Sequence, residues 1–187
     1  MAGLRVIAGV AKGRKLKLVA GTTTRPISDR VKESLFDILG SDIEATAVLD
    51  LFAGTGSVGI EALSRGAAEA VFVESDRRAV EVIRENLRLT GLAAQGRVVR
   101  TDVFIYLRNT PPQSFGYIHI APPQYHELWI RTLHFLEARP EWLLPEGVAV
   151  VQIHPGEYQP LELHHLELVD QRRYGSTMLC FYERCGE

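Results

Sequence analysis

The feature that most constrains the fold of this chain is a glycine-rich turn between an apolar run and an amphipathic segment. The run Ala47–Phe52 predicts a short strand, and the sequence GTGSVG at 54–59 follows it and leads into a helix that ends near Gly66. Glycines here let the backbone turn tightly and approach a ligand, while the first turn of the helix offers free N–H groups. The pattern is typical of a strand–loop–helix unit that binds a nucleoside.

Strand and helix patterns alternate from this turn to residue 153. Further strands are predicted at Ala70–Glu74, Arg97–Thr101, Tyr117–Ala121 and Gly147–Ile153, and helices at Arg77–Thr90, Val103–Asn109 and His126–Ala138. Apolar strands separated by helices indicate a parallel sheet covered on both faces. Leu166–Arg172 and Thr177–Glu183 follow without a helix between them, so they predict an antiparallel pair at the sheet edge. We therefore expect an α/β three-layer sandwich with a mostly parallel, seven-stranded sheet.

The first forty residues carry a different pattern. Apolar and polar residues alternate in two short segments that flank a turn, Leu4–Ala8 and Lys15–Val19. This pattern predicts a β-hairpin. Ser28 or Asp29 is expected to cap the helix that follows. Its predicted apolar face consists of Val31, Leu35, Ile38 and Leu39. We expect residues 1–40 to form an extension and residues 41–187 to form the main domain.

The net charge of −2 conceals an uneven distribution of charge along the chain. Residues 1–32 hold eight basic residues and one acidic residue, a charge of +7, and the rest holds 13 basic and 22 acidic residues, a charge of −9. A basic segment on an acidic body is typical of a nucleic-acid contact, although a merely solvated surface has the same composition. The expected RNA contacts are Arg5, Lys12, Arg14, Lys15, Lys17, Arg25, Arg30 and Lys32.

Composition argues against several other classes of protein. The two cysteines, Cys180 and Cys185, are too few for a disulfide framework or a zinc site, and the six histidines show no metal-ligand spacing. We therefore expect no metal. No stretch approaches the roughly 18 apolar residues that a membrane span needs, and no signal segment opens the chain. We expect a cytoplasmic protein without a membrane partner.

Three acidic residues are predicted at successive strand ends beside the glycine turn. Glu74 lies 20 residues after Gly54, where its carboxylate can accept bonds from both hydroxyls of a ribose. Asp50 suits a cationic group, and Asp102 can accept the amino hydrogen of an adenine or merely cap a helix. Carboxylates oppose a pyrophosphate, so the set favours S-adenosylmethionine over NAD, and a nucleotide-dependent oxidoreductase stays as an alternative. The other expected cofactor contacts are Ala53, Gly54, Thr55, Gly56, Ser75 and Val103.

Several strings along the chain carry a family resemblance. They are DLFAGTG at 50–56, RVIAG at 5–9, KGRKL at 12–16, TRP at 24–26, DRVKE at 29–33 and EALSRGA at 61–67. Together they resemble the RsmD-type family of class I S-adenosylmethionine-dependent methyltransferases, over nearly the whole chain. The resemblance implies a Rossmann-like fold and methylation of a guanine N2 amino group in 16S ribosomal RNA. It also implies action on a small-subunit assembly intermediate, and we expect a monomer.

The sequence departs from this family at the end of the fourth strand. The family places an Asp or Asn, two prolines and an aromatic residue there, where a side-chain oxygen and a proline carbonyl accept the N–H bonds of the target amino group and the ring stacks on the flipped base. This chain reads Ala121-Pro122-Pro123-Gln124-Tyr125. The resemblance implies that Ala121, Pro122, Pro123 and Tyr125 line the target pocket. Gln124 or His119 could replace the missing acceptor, and a weak or inactive RNA-binding homologue remains the alternative.

Overall fold

The structure, a computed structural model, describes residues 3–22 and 25–186 of the chain. Met1, Ala2, Thr23, Thr24 and Glu187 lie outside the described residues. Thr24 belongs to one of the strings that carry the family resemblance. Met1 and Ala2 begin the predicted N-terminal extension, and Glu187 ends the predicted main domain.

One seven-stranded sheet forms the centre of the structure, with the strand order β3-β2-β1-β4-β5-β7-β6. The strands are β1 (Ala47–Leu51), β2 (Glu69–Glu74), β3 (Gly96–Arg100), β4 (Phe115–Ile120), β5 (Leu143–Ile153), β6 (Leu166–Tyr174) and β7 (Thr177–Arg184). The first five strands are parallel, and β7 runs antiparallel to both β5 and β6. The expected sheet, including its antiparallel edge pair, is confirmed.

Five α-helices in the described part of the chain cover the sheet on both faces. They are α1 (Asp29–Leu39), α2 (Ser57–Ser64), α3 (Arg77–Thr90), α4 (Val103–Arg108) and α5 (Leu128–Ala138). The side chains of β1 alternate between two apolar cores: Val48 packs with α1, α2 and α3, whereas Leu49 packs with α4 and α5. No helix in the described part of the chain is long and apolar enough to cross a membrane.

Helix boundaries follow their capping residues. Ser28 Oγ accepts a hydrogen bond from Val31 N at 3.3 Å and begins α1, as predicted. The prediction for α5 is wrong by two residues, because Glu127 has a left-handed φ of 52° and the helix therefore begins at Leu128 rather than at His126. In α1 the expected apolar face is wrong at Ile38, which is 38% exposed, while Phe36 is buried instead.

The predicted N-terminal hairpin is wrong in extent. Among the described residues its only ladder pair is an antiparallel bridge between Arg5 and Lys15, supported by backbone bonds such as Leu16 N to Leu4 O at 2.8 Å. The chain leaves the ladder because Val10 N donates instead to Ser64 O at 2.8 Å, at the end of α2. Gly9 fits there because a Cβ would stand 1.8 Å from that same oxygen.

Packing does not break at the proposed domain boundary at residue 40. Leu4, Val6 and Leu16 belong to the same apolar core as Ile60 of α2 and Ile83 of α3. The N-terminal segment is therefore packed onto the helical layer over β1, close to the glycine turn. Its separate domain status stays a prediction.

Candidate active site

The carboxyl ends of the parallel strands bring the predicted site residues to one edge of the sheet. The strand order reverses between β1 and β4, because the chain goes from β1 to β2 on one side and from β4 to β5 on the other. A crevice opens at such a point in an open α/β sheet and is the usual place for a ligand. Ala121 N lies 3.5 Å from Leu51 O, so the loops after β1 and β4 start side by side.

The glycine turn after β1 exposes its backbone at one position. Gly54 and Gly56 are both left-handed, with φ of 59° and 79°. A Cβ on Gly54 would meet nothing within 4 Å, whereas one on Gly56 would stand 3.2 Å from Ile83 of α3. Phe52 is also left-handed, at φ 60°, which is a costly conformation for an aromatic residue and is typical of functional sites. The turn therefore packs against the protein at Gly56 and is open at Gly54.

Glu74, at the end of β2, orients this turn. Its Oε2 accepts a hydrogen bond from Gly54 N at 2.8 Å, and its Oε1 accepts bonds from Ser75 N at 2.9 Å and Asp76 N at 3.0 Å. A carboxylate has about four acceptor positions, so the half-buried side chain keeps capacity for a ligand hydroxyl.

Asp50 lies beneath the turn rather than in the crevice. Its side chain belongs to a residue that is 2% exposed, and Oδ2 accepts a hydrogen bond from Gly59 N in α2 at 3.1 Å. Burial in apolar surroundings disfavours the charged form and raises the pKa of this carboxyl group to about 8. Its predicted role toward a cationic group stays a prediction.

Asp102 caps α4 at the third strand end. Its Oδ1 accepts hydrogen bonds from Phe104 N at 2.8 Å and Ile105 N at 3.1 Å. The residue is exposed, whereas the side chain of Val103 is buried in the core under α4 and α5. Asp102 therefore caps the helix, and its predicted contact with an adenine stays a prediction. Of the remaining predicted cofactor contacts, Ala53 is buried, Thr55 is half-buried and Ser75 is exposed.

The loop after β4 presents its side chains to solvent. Ala121 is half-buried and Pro122 buried, while Pro123 and Gln124 are exposed and Tyr125 is 66% exposed. Tyr125 is left-handed, with φ of 64°. The ring is therefore accessible to a large ligand.

His119 is not a replacement acceptor, because it is sealed inside the sheet. The residue is 1% exposed, and its two ring nitrogens contact Tyr117 Oη at 2.7 Å and Gln152 Oε1 at 3.1 Å. Burial lowers the pKa of its imidazole to about 4, so the ring is neutral at physiological pH.

Two residues after β5 hold the loop that follows β4, and the sequence reasoning missed both. Glu157 Oε1 accepts a hydrogen bond from Tyr125 N at 2.7 Å, and its Oε2 accepts one from His154 N at 3.1 Å. The ring centroids of Tyr125 and His154 are 5.9 Å apart. The string HPGE at 154–157 has the spacing of a capping box, which signals a local turn but not its contact with Tyr125.

Lys32 is a correction to the predicted RNA surface. Its side chain is 0% exposed, and Nζ donates to Arg5 O at 2.5 Å and Ser57 Oγ at 2.9 Å, with Glu61 Oε2 at 3.8 Å. Helix α1 turns this residue toward α2, so it cannot reach an RNA phosphate. It joins the N-terminal segment to the first residue of the helix that follows the glycine turn.

The other predicted RNA contacts are exposed. Arg5 pairs with Asp29 at 3.0 Å and Lys17 with Glu85 at 3.4 Å, while the Arg30 guanidinium lies 5.9 Å from the centre of the Tyr174 ring. Within residues 3–22 and 25–186, no carboxylate lies within 4.0 Å of the basic groups of Lys12, Arg14, Lys15 and Arg25.

Asn86 of α3 is a second link between this basic segment and the glycine turn, and it was not predicted. Its Oδ1 accepts a hydrogen bond from Lys17 N at 2.7 Å, and its Nδ2 donates to Lys17 O at 3.1 Å and to Thr55 O at 2.9 Å. A buried asparagine that makes three hydrogen bonds fixes the position of both segments.

The described residues contain no group of three or more His, Cys, Asp or Glu side chains that could hold a metal ion. Cys180 and Cys185 are free thiols, the first buried and the second half-buried.

Comparison with known proteins supports the same family that the sequence resembles. A family model described as "Conserved hypothetical protein 95" matches residues 4–183. The protein YlbH of Bacillus subtilis (strain 168) is 37% identical over 186 residues, which is 98% of this chain and 100% of YlbH. "Ribosomal RNA small subunit methyltransferase D" of Escherichia coli (strain K12) is 36% identical over 151 residues, which is 80% of this chain and 74% of that protein.

Solved structures share the fold. The structure of yhhF from Escherichia coli has a TM-score of 0.86 and 32% identity, and the match covers 100% of both chains. An RNA methyltransferase from Salinibacter ruber, solved in complex with S-adenosyl-L-homocysteine, has a TM-score of 0.65 and 17% identity over 87% of this chain and 95% of its own, a likeness of fold. From the family model and the two relatives, the chain belongs to the Conserved hypothetical protein 95 family, which is the RsmD family of ribosomal RNA methyltransferases.

Proposed function

We propose that this chain transfers a methyl group from S-adenosylmethionine to the N2 amino group of a guanine in 16S ribosomal RNA. The observation that carries the proposal is the placement of the open Gly54 turn and the Ala121–Tyr125 loop on either side of the β1–β4 crevice. One loop has the features of a nucleoside site and the other has those of a base site. The name of the Escherichia coli relative supports a small-subunit RNA as substrate.

The residues beside the glycine turn fit the nucleoside part of S-adenosylmethionine. Gly54 leaves open space over its Cα, and the carboxylate of Glu74, which already accepts three N–H bonds, has one spare acceptor position for a ribose hydroxyl. Glu74 would serve the ribose of a dinucleotide equally well, so the preference for S-adenosylmethionine over NAD rests on the family match. When bound, the cofactor supplies an electrophilic methyl group. The ligand that accompanies the Salinibacter ruber neighbour is consistent with this choice.

The loop after β4 would orient the target amino group. The exocyclic nitrogen of guanine shares its lone pair with the ring, and two acceptors on its N–H groups draw that lone pair toward the methyl carbon. The carbonyl oxygens of Ala121 and Pro122 are the acceptors that the chain offers, and the exposed ring of Tyr125 stacks on the flipped base. Holding nitrogen, methyl and sulfur in line supplies the rest of the rate enhancement.

Ala121 lacks the side-chain oxygen of the family motif. By analogy with the removal of an oxyanion-hole donor, this absence weakens transition-state stabilisation by about 2–4 kcal/mol. The observation also favours a second candidate function, a homologue that binds ribosomal RNA with little or no methyl transfer. Both functions use the exposed basic residues Lys12, Arg14, Lys15 and Arg25 to hold RNA phosphates, and both place a monomer in the cytoplasm on an assembling small subunit.

Transfer of a labelled methyl group to small subunits that lack their guanine-N2 modifications tests the proposal. We expect one labelled guanine, which nuclease mapping and mass spectrometry identify as N2-methylguanosine in 16S RNA. Tight binding of NAD without binding of S-adenosylhomocysteine would contradict it. The variant Ala121→Asp separates the two candidates: a large gain in rate from a negligible starting level supports the inactive homologue, whereas a loss from an active wild type supports the altered but working site.

A further inference from the structure

The loop that carries Tyr125 contains two left-handed residues and is held by a hydrogen bond to the carboxylate of Glu157, which lies outside the loop. Tyr125 and Glu127 are both left-handed, with φ of 64° and 52°. Such conformations persist in non-glycine residues only where neighbouring groups stabilise them. Glu157 supplies that stabilisation, because its Oε1 accepts a hydrogen bond from Tyr125 N at 2.7 Å. A bond from an N–H group to a carboxylate is about twice as strong as one between neutral groups.

The same carboxylate also organises the neighbouring turn after β5. Its Oε2 accepts a hydrogen bond from His154 N at 3.1 Å, and His154 Nδ1 accepts one from Gly156 N at 3.0 Å. The imidazole of His154 then lies beside the phenol ring of Tyr125, with centroids 5.9 Å apart and the planes inclined by 40°. Glu157 therefore joins the ends of β4 and β5 and places one aromatic ring against another.

We propose that Glu157 is a positioning residue for the target base. It holds Tyr125 in the left-handed conformation, His154 covers one side of the tyrosine ring, and the exposed side is presented to the guanine. This inference rests on the proposed function, since it assigns Tyr125 the stacking role. The contact matters more in this chain because Ala121 offers no side-chain acceptor to orient the base. Glu157 acts through Tyr125 and touches neither the cofactor nor the reacting atoms.

A double-mutant cycle on methyl transfer tests the inference. Glu157→Gln keeps the size of the side chain but removes one acceptor and the charge, and we expect kcat to fall about tenfold because small misplacements of reacting groups are costly. The KM for S-adenosylmethionine is expected to stay unchanged. In a Tyr125→Ala background, Glu157→Gln is expected to cause no further loss, since the two residues act as one unit. Glu162→Gln is the matched control, an exposed acid five positions further along the chain.

Amide hydrogen exchange gives a readout that does not depend on activity. In the full-length protein we expect Tyr125 N–H to exchange at least tenfold faster in Glu157→Gln than in the wild type or in Glu162→Gln, with the amides of β4 unchanged. Unchanged exchange at Tyr125, or a loss of kcat that adds to that of Tyr125→Ala, overturns the positioning role. A wild type that transfers no methyl group to ribosomal RNA contradicts the proposed function instead, and the exchange result then stands alone as the test of the contact.

Discussion

The two loops that face each other across the β1–β4 crevice are supported in opposite ways. The glycine turn after β1 rests on buried polar groups: Asp50 and Lys32 are 2% and 0% exposed, and Asn86 bonds to the carbonyl of Thr55. The loop after β4 projects into solvent and depends on Glu157, which is only half-buried. The proposed cofactor side is thus preformed by the core, and the proposed base side is shaped by surface contacts.

Buried charged groups also support the glycine turn and the N-terminal segment packed beside it. Around the glycine turn, Glu61 is fully buried and accepts bonds from Ile7 N, Ala8 N and Arg65 Nε at distances of 2.9–3.2 Å, with the Lys32 ammonium 3.8 Å away. Buried ion pairs of this kind are costly to break, because the remaining partner is left without compensation in a low-dielectric surrounding. The N-terminal basic segment is therefore anchored through α2, beside the glycine turn.

The largest expected effect is a difference in stability between variants of two carboxylates, Glu61 and Glu157, which both accept hydrogen bonds from backbone N–H groups. Glu61→Ala leaves Lys32 buried without its partner, and we expect the free energy of unfolding to fall by about 3–5 kcal/mol. Glu157→Ala removes a half-buried capping carboxylate and is expected to cost about 1 kcal/mol. Urea denaturation of both variants measures the difference. Equal losses of stability would show that the two loops are supported alike.

The division between the loops also decides how much of the site the sequence could predict. The strand ends, the glycine turn and the start of the Ala121 loop follow from local periodicity, which hydrophobic patterns report, whereas the strand order that brings the two loops together comes from the structure. The burial of Lys32 could not be predicted in this way, because a lysine on an amphipathic helix usually faces water. Its burial depends on a contact with Glu61, 29 positions away in the chain. Glu157 and Asn86 were missed for the same reason, since each joins elements far apart in the chain.

A smaller effect concerns the pH dependence of stability beneath the glycine turn. The pKa of Asp50 is about 8 in the folded chain and about 3.9 in an unfolded one, so the folded state holds a proton that the unfolded state loses as pH rises between these values. Stability then falls with rising pH, by up to ~1.4 kcal/mol per pH unit, and no longer changes above the folded pKa.

Asp50→Asn keeps the shape of the side chain and removes this titration. We expect the wild type to lose roughly 2–3 kcal/mol relative to the variant between about pH 5 and pH 7, measured by urea denaturation at each pH. His119 titrates in the opposite direction, since the pKa of its buried ring is lowered to about 4, but it is common to both proteins and cancels. A constant difference across this range would mean that Asp50 is charged in the folded state and open to solvent, like the groups of the opposite loop.

The smallest effect separates the packed first turns of α2 from the open part of the glycine turn that precedes it. A Cβ on Gly59 would stand 2.4 Å from the Phe72 ring, so Gly59→Ala is expected to lower the free energy of unfolding by about 1–3 kcal/mol. Gly54→Ala meets open space and carries only the left-handed cost of about 1 kcal/mol, but its methyl group occupies the surface proposed for the cofactor. Calorimetry should therefore show S-adenosylhomocysteine affinity reduced at least about tenfold in Gly54→Ala, equivalent to ~1.4 kcal/mol of binding free energy. Should Gly54→Ala bind as tightly as the wild type, the open face of the turn does not contact the cofactor, and the ligand must lie closer to the exposed loop after β4.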